Sequence, residues 1–285
     1  MTVDYPQKFP TAGPLAVSVR LGAGDVLVTA ADATDAVVDL QPARPGDEDA
    51  LDVIARTRVM YRRDASLRIA IPHGRGIVRR EPPIEVRVTV PAGSSVEVGV
   101  GSADVRLEGR FGAVNLESGS GDVSVDSCGD ARVRSGSGDV RIDDAGAASV
   151  KSGSGNIGVR RASSDIDLQG ASGDIRVEDV GANARLSSSS GDIELGSVRG
   201  RIGAKSASGD VVVGRASEGQ LEVSTASGDV AVGVVDGTAV KLDCSSISGR
   251  VHSELEPADA PGDTDRRLLV TARTASGDIT IRRAG

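Results

Sequence analysis

Aromatic side chains are almost missing from this chain: among 285 residues there are Tyr5, Phe9, Tyr61 and Phe111, and no tryptophan. A compact globule draws much of its core area from rings, so a core here must be filled by small aliphatics. The shortage also removes the stacking platforms that single-stranded nucleic acid requires. A net charge of -8 with only four lysines removes the basic footprint for a duplex, so no nucleic-acid partner is expected. The two histidines, His73 and His252, lie in unrelated regions, and no Ser/His/Asp or zinc set can be assembled around them. Cys128 and Cys244 are too far apart in sequence, and too few, to suggest a disulfide framework. No apolar run reaches the ~18 residues of a membrane span. The opening Met1-Thr2-Val3-Asp4-Tyr5-Pro6 has neither the basic start nor the apolar stretch of an export signal. The expectation is a cytoplasmic protein without a membrane span, for which peripheral membrane contact stays open.

What is abundant is a repeat. About every nine residues, two aliphatics stand either side of one polar or small residue, as in Val96/Val98, Val105/Leu107, Val114/Leu116 and Val123/Val125, and on to Val230/Val232 and Val240/Leu242. A spacing of two puts both on one face of a strand, and a fixed period marks a stacked array. Alternate units begin with a Ser/Gly turn ending in Asp. It reads Ser-Gly-Ser-Gly-Asp at 118–122 and 135–139, Ser-Gly-Ser-Gly-Asn at 152–156, and Ala-Ser-Gly-Asp at 207–210, 226–229 and 275–278. The chemical period is therefore about 18 residues, two strands and two turns. An antiparallel meander would put every aliphatic pair on one face with no helix to cover it. A single-stranded parallel β-solenoid (β-helix) buries the pairs against each other and stacks like turns, so an all-β solenoid is predicted. Glycine fits such turns by taking positive φ without penalty, and Ser and Asp by bonding local backbone. The regular repeats span 96–256 of a single domain over 1–285. Residues 1–95 are expected to form an irregular N-terminal cap with a short helix within 49–56, 257–265 a loop insertion, and 266–285 a closing turn.

The Ser-Gly-Ser-Gly-Asp-Val turns, the preceding Val90-Pro91-Ala92-Gly93-Ser94 and the opening Phe9-Pro10-Thr11-Ala12-Gly13-Pro14 resemble a bacterial β-strand-repeat domain of unknown function. This is the domain labelled putative adhesin, the toast-rack family, and the likeness covers nearly the whole chain. The resemblance implies a non-enzymatic β-solenoid, often in envelope-stress settings and often fused to membrane segments.

The strongest candidate for an interaction site is a ladder of Asp122, Asp139, Asp174, Asp192, Asp210 and Asp229, one per turn, with Asn156 in one slot. Carboxylates at the ~4.8 Å spacing of stacked strands repel by roughly 0.9 kcal/mol per pair even at water's dielectric, which invites a cation, a basic partner, or simple turn capping. The Asp sits one position away from its place in the calcium-binding nonapeptide and recurs half as often, so no metal site is assigned. Arg132, Arg134, Lys151, Arg185, Arg201, Lys205 and Lys241 fall on outward positions of the other strand set, diluted by Asp165, Asp167 and Glu222. One broad face is thus expected to be acidic and the other to lean basic. Arg75, Arg79 and Arg80 mark a basic contact loop between Pro72 and Pro83. Gly153-x-Gly155-x-x-Gly158 opens a strand rather than a helix and is repeat drift, not a dinucleotide fingerprint. No catalytic residue and no cofactor is expected. The reading is a non-catalytic binding or assembly scaffold in envelope homeostasis, working through a protein partner or self-association. The alternatives are a self-polymerising structural protein and a β-helix enzyme acting on glycans.

Overall fold

The computed structural model describes residues 5–62, 64–72, 81–255 and 266–284. They fall into two compact units, Met1–Asp144 and Ala145–Gly285, each built almost wholly of β-strands.

In the first unit β1 (Gln7–Pro10), β2 (Ala16–Leu21), β3 (Gly24–Ala31) and β4 (Asp35–Pro42) lead to α1 (Glu48–Arg56). There follow β5 (Arg58–Arg62), β6 (Ser66–Ala70), β7 (Ile84–Pro91), β8 (Ser95–Val100), β9 (Asp104–Ser118) and β10 (Val123–Ser135). β9 and β10 run parallel, with Val123 beside Val105, Val125 beside Leu107, Ala131 beside Val114 and Val133 beside Leu116. The predicted aliphatic pairs therefore stack pair upon pair, and an antiparallel meander is excluded. Sequence order is not stacking order at the start of the chain. β2 lies between β6 and β8, and β3 between β7 and β9, all parallel. The outer side is closed by antiparallel strands: β5 on β6, β4 on β7, and β1 on β4. α1 packs beside β4 and buries Ala50, Val53 and Ile54. Its start is fixed by Asp47, whose carboxylate accepts the Ala50 N–H at 3.0 Å. The stretch 1–95, expected to be irregular, thus holds regular parallel layers beneath an antiparallel cover.

The second unit takes up β11 (Val140–Ser152), whose first residues precede the boundary, then β12 (Ile157–Ala162), β13 (Ile166–Gly170), β14 (Ile175–Val180), β15 (Ala184–Ser188) and β16 (Ile193–Ser206). It ends with β17 (Val211–Ser227), β18 (Val230–Val234), β19 (Thr238–Ser246), β20 (Val251–Ser253), β21 (Arg266–Ser276) and β22 (Ile279–Arg283). Parallel registers keep the period: Ile157 beside Ile175, Ile175 beside Ile193, Ile193 beside Val211, and Val211 beside Val230. Then the order breaks. β21 lies between β17 and β19, and β22 between β18 and β20. The segment expected to close the array is therefore its second layer, and the outermost is β19/β20.

Inward residues are fully buried throughout: Val105, Leu107, Val123 and Val125 in the first unit, and Ile175, Val177, Ile193 and Leu195 in the second. Each contributes about 1.5–3 kcal/mol of apolar transfer. Uniform aliphatics serve because each side chain packs on a near copy of itself in the next layer. A ring would need a matching gap in both neighbours. Phe111 is the buried exception, and it sits at a bend, beside Cys128.

Candidate interaction surfaces

The arch motif consists of a buried hydroxyl, a glycine and an aspartate, and each has a separate task. In the first unit the Ser118 and Ser135 hydroxyls donate to the carbonyls of Gly121 and Gly138 at 2.7 and 2.8 Å. A Cβ on Gly121 would overlap the Ala103 carbonyl oxygen, and one on Gly138 that of Gly121. Neither glycine has a left-handed φ. The requirement is close approach of one layer to the next, not the positive φ expected from sequence. Positive φ is confined to other bends, such as Gly109 at 96°. The aspartate then caps the following layer: Asp104 Oδ1 accepts the Asp122 N–H at 2.8 Å, and Asp122 Oδ1 accepts the Asp139 N–H at 2.9 Å.

In the second unit the same chain of bonds runs from Asn156 to Asp174, Asp192, Asp210, Asp229 and Asp278, each side-chain oxygen accepting the next residue's N–H at 2.8–3.0 Å. It ends on Arg250, whose N–H goes to Asp278 Oδ1 at 2.8 Å. The candidate Asp ladder is thus exposed but engaged, one oxygen per carboxylate being committed to the fold. Asn156 fills its slot without charge, so the conserved need within the repeat is an acceptor. A second capping chain, missed in the sequence, lies at the opposite bend: Asp165 accepts from the backbone and side chain of Asn183, and Asn183 from the Arg201 N–H at 3.3 Å. Among the described residues no group of three or more His, Cys, Asp or Glu could hold a metal ion.

The expected contrast of an acidic and a basic face is corrected by where the aspartates sit. They occupy the arch, one residue before each strand begins, and the outward positions of the first strands are mixed. Arg106 and Arg141 lie there in the first unit, and Arg176 and Glu194, bonded at 2.7 Å, in the second. The second strand set does carry its cations outward. Arg132 and Arg134 are exposed in the first unit, the latter 3.4 Å from Glu117. Lys151, Arg185, Arg201 and Lys205 are exposed in the second, with Lys205 3.5 Å from Glu222. The first unit also has an open groove of about 1270 Å³ over its arches, lined by Arg20, Glu81, Glu117 and Arg134. Its floor is the glycine backbone of Gly22, Gly101, Gly119 and Gly136. Its charges are of both signs, with Arg20 near Glu97 at 3.9 Å. The basic loop with Arg75, Arg79 and Arg80 lies outside the described residues.

Cys128, expected to be exposed in a turn, is buried at 6% exposure. Burial first, and the nearby Asp130 and Asp144 carboxylates second, push its thiol up to about 11. Cys244 is half-buried, and burial raises its thiol as well. His252 is exposed on β20, 3.9 Å from Glu254. No helix among the described residues is long and apolar enough to cross a membrane.

Parallel layers with this arch define a class of β-repeat protein. The chain belongs to the family described as Toastrack DUF4097, matched over residues 62–181 and 146–284. No curated protein matches it. Among solved structures it is similar to a putative lipid binding protein from Parabacteroides distasonis ATCC 8503, at 11% identity and a TM-score of 0.45, covering 97% of this chain and 96% of that one. It is also similar to a putative adhesin from Bacteroides fragilis NCTC 9343, at 13% identity and a TM-score of 0.38, with coverage of 97% and 96%.

Proposed function

We propose that the chain is a non-catalytic binding and assembly scaffold, its parallel layers coiling as a β-solenoid with two strands in each turn of about 18 residues. The constant parallel offset between successive aliphatic pairs supports the coil. One observation carries the function: the groups repeated in every arch are spent on bonds between layers, which leaves the varied outward cations as the positions free to recognise a partner. Arginine suits that task because its fork pairs with carboxylate or phosphate in two bonds at once. Repetition also argues against turnover, since a reaction centre needs a few different groups converging on one point. The setting we propose is the cytoplasmic side of the cell envelope, for which family membership is the support.

Crosslinking of the tagged protein in its native cells, with soluble and membrane fractions analysed separately, tests the reading. A partner recovered in fixed proportion to the protein is expected. Release of products from acidic polysaccharides incubated with the purified protein would contradict it.

A further inference from the structure

The outermost layer of the second unit is unfinished. Among the described residues β19 pairs only with β21, and β20 only with β22. One edge of each strand therefore offers its backbone groups to another chain. The core behind that edge is also open. Leu268, Val270 and Ala272 on β21 are buried, whereas their β19 neighbours Val240, Leu242 and Cys244 are half-exposed. Just beyond, Ile247 is 84% exposed and Val251 47%.

We propose that this edge is the interface of a two-fold symmetric homodimer, in which β19 pairs antiparallel with β19 of a second copy about Leu242. Directly opposed residues in an antiparallel pair share a face. Centred on Leu242, Val240 of each copy meets Cys244 of the other, and the core runs on across the junction. On the outer face Lys241 meets Asp243, twice by symmetry. Centring on Lys241 would oppose lysine to lysine, and centring on Asp243 would oppose aspartate to aspartate. A shift by half a step would set core side chains against charged ones. Only the Leu242 register satisfies both faces. Counting equally from the arch at 247–250 places Ser253 across from Leu242, so the same axis sets His252 against Glu254 of the second copy.

A second copy fits better as occupant than open growth does. In the first unit the outermost strands are the antiparallel β1 and β5, whose edges carry Lys8, Pro10, Arg58 and Arg62. Charge and proline are what block edge pairing, so head-to-tail addition has no receptive strand. An isologous contact closes at two. The dimer is independent of any partner on the outer faces.

Sedimentation equilibrium of the full chain across the micromolar range tests the dimer. The wild type should show a monomer–dimer equilibrium. Lys241→Glu and Asp243→Lys should each weaken it about tenfold, by creating two like-charge contacts, and the double exchange should restore it. Asp243 also lies 3.5 Å from Arg273 in its own chain. That contact is lost equally in Asp243→Lys and in the exchange, so it cannot produce the rescue. A monomer at every concentration, an open ladder of multimers, or an exchange variant as weak as the single variants would overturn the proposal. Circular dichroism of each variant confirms that the coil itself is intact.

Discussion

At the scale of single residues, the aspartate of each arch works as a hydrogen-bond acceptor before it works as a charge. Asp192 gives its N–H to Asp174 and takes that of Asp210, at 2.9 and 2.8 Å. Asp192→Asn should leave the urea midpoint nearly unchanged, because Asn156 already fills the equivalent place. Asp192→Ala, which leaves the Asp210 N–H without its acceptor, should cost ~1 kcal/mol. Gly191→Ala should cost about 1–3 kcal/mol through overlap with the Gly173 carbonyl, although this glycine has no left-handed φ. Asp and Gly could be located from sequence by their recurrence. The reason for glycine could not, because the clash lies between layers 18 residues apart. Cys128 makes a further prediction. Its thiol is raised from an ordinary 9.0 to about 11, so the folded state favours the protonated form. That contribution is complete below about pH 9 and is lost as pH rises toward 11. A thiol reagent near neutral pH should label Cys244 ahead of Cys128, which should react only on unfolding. Equal rates would show that Cys128 is open to solvent.

At the scale of elements, the body of the fold was legible because periodicity reports pairing whenever neighbours in sequence are neighbours in space. Val123 falls beside Val105 for that reason, and the helix was legible from Asp47 and the acidic residues that follow it. Both threaded layers were missed because a strand's pattern does not say which strand it sits beside. β21 looks like one more repeat, and nothing in its residues records that it enters between β17 and β19. Threading reverses the usual expectation that a chain's end frays first. In dilute, monomeric protein, amide hydrogen exchange should be slower in β21 and β22, each paired on both edges, than in β19 and β20. Faster exchange at 266–283 would mean that the order of layers is wrong.

At the scale of the whole molecule, the sequence invests its regularity in architecture and its variety in surface. The repeated Ser, Gly and Asp serve inter-layer bonds in each unit, while the outward cations Arg132, Arg134, Arg185 and Arg201 follow no strict pattern. This division explains why the fold was readable and the partner was not: packing demands repetition, and recognition of one partner does not. The most direct test of the division is a single crosslinking capture from native cells comparing two variants with the wild type. One carries Arg132→Glu and Arg134→Glu on an outward face, and the other Asp174→Asn, Asp192→Asn and Asp210→Asn in the arches. Loss of the wild-type partner from the first and its retention by the second is the predicted result. Retention by the first and loss from the second would mean that the aspartate ladder is the binding site and the account is wrong.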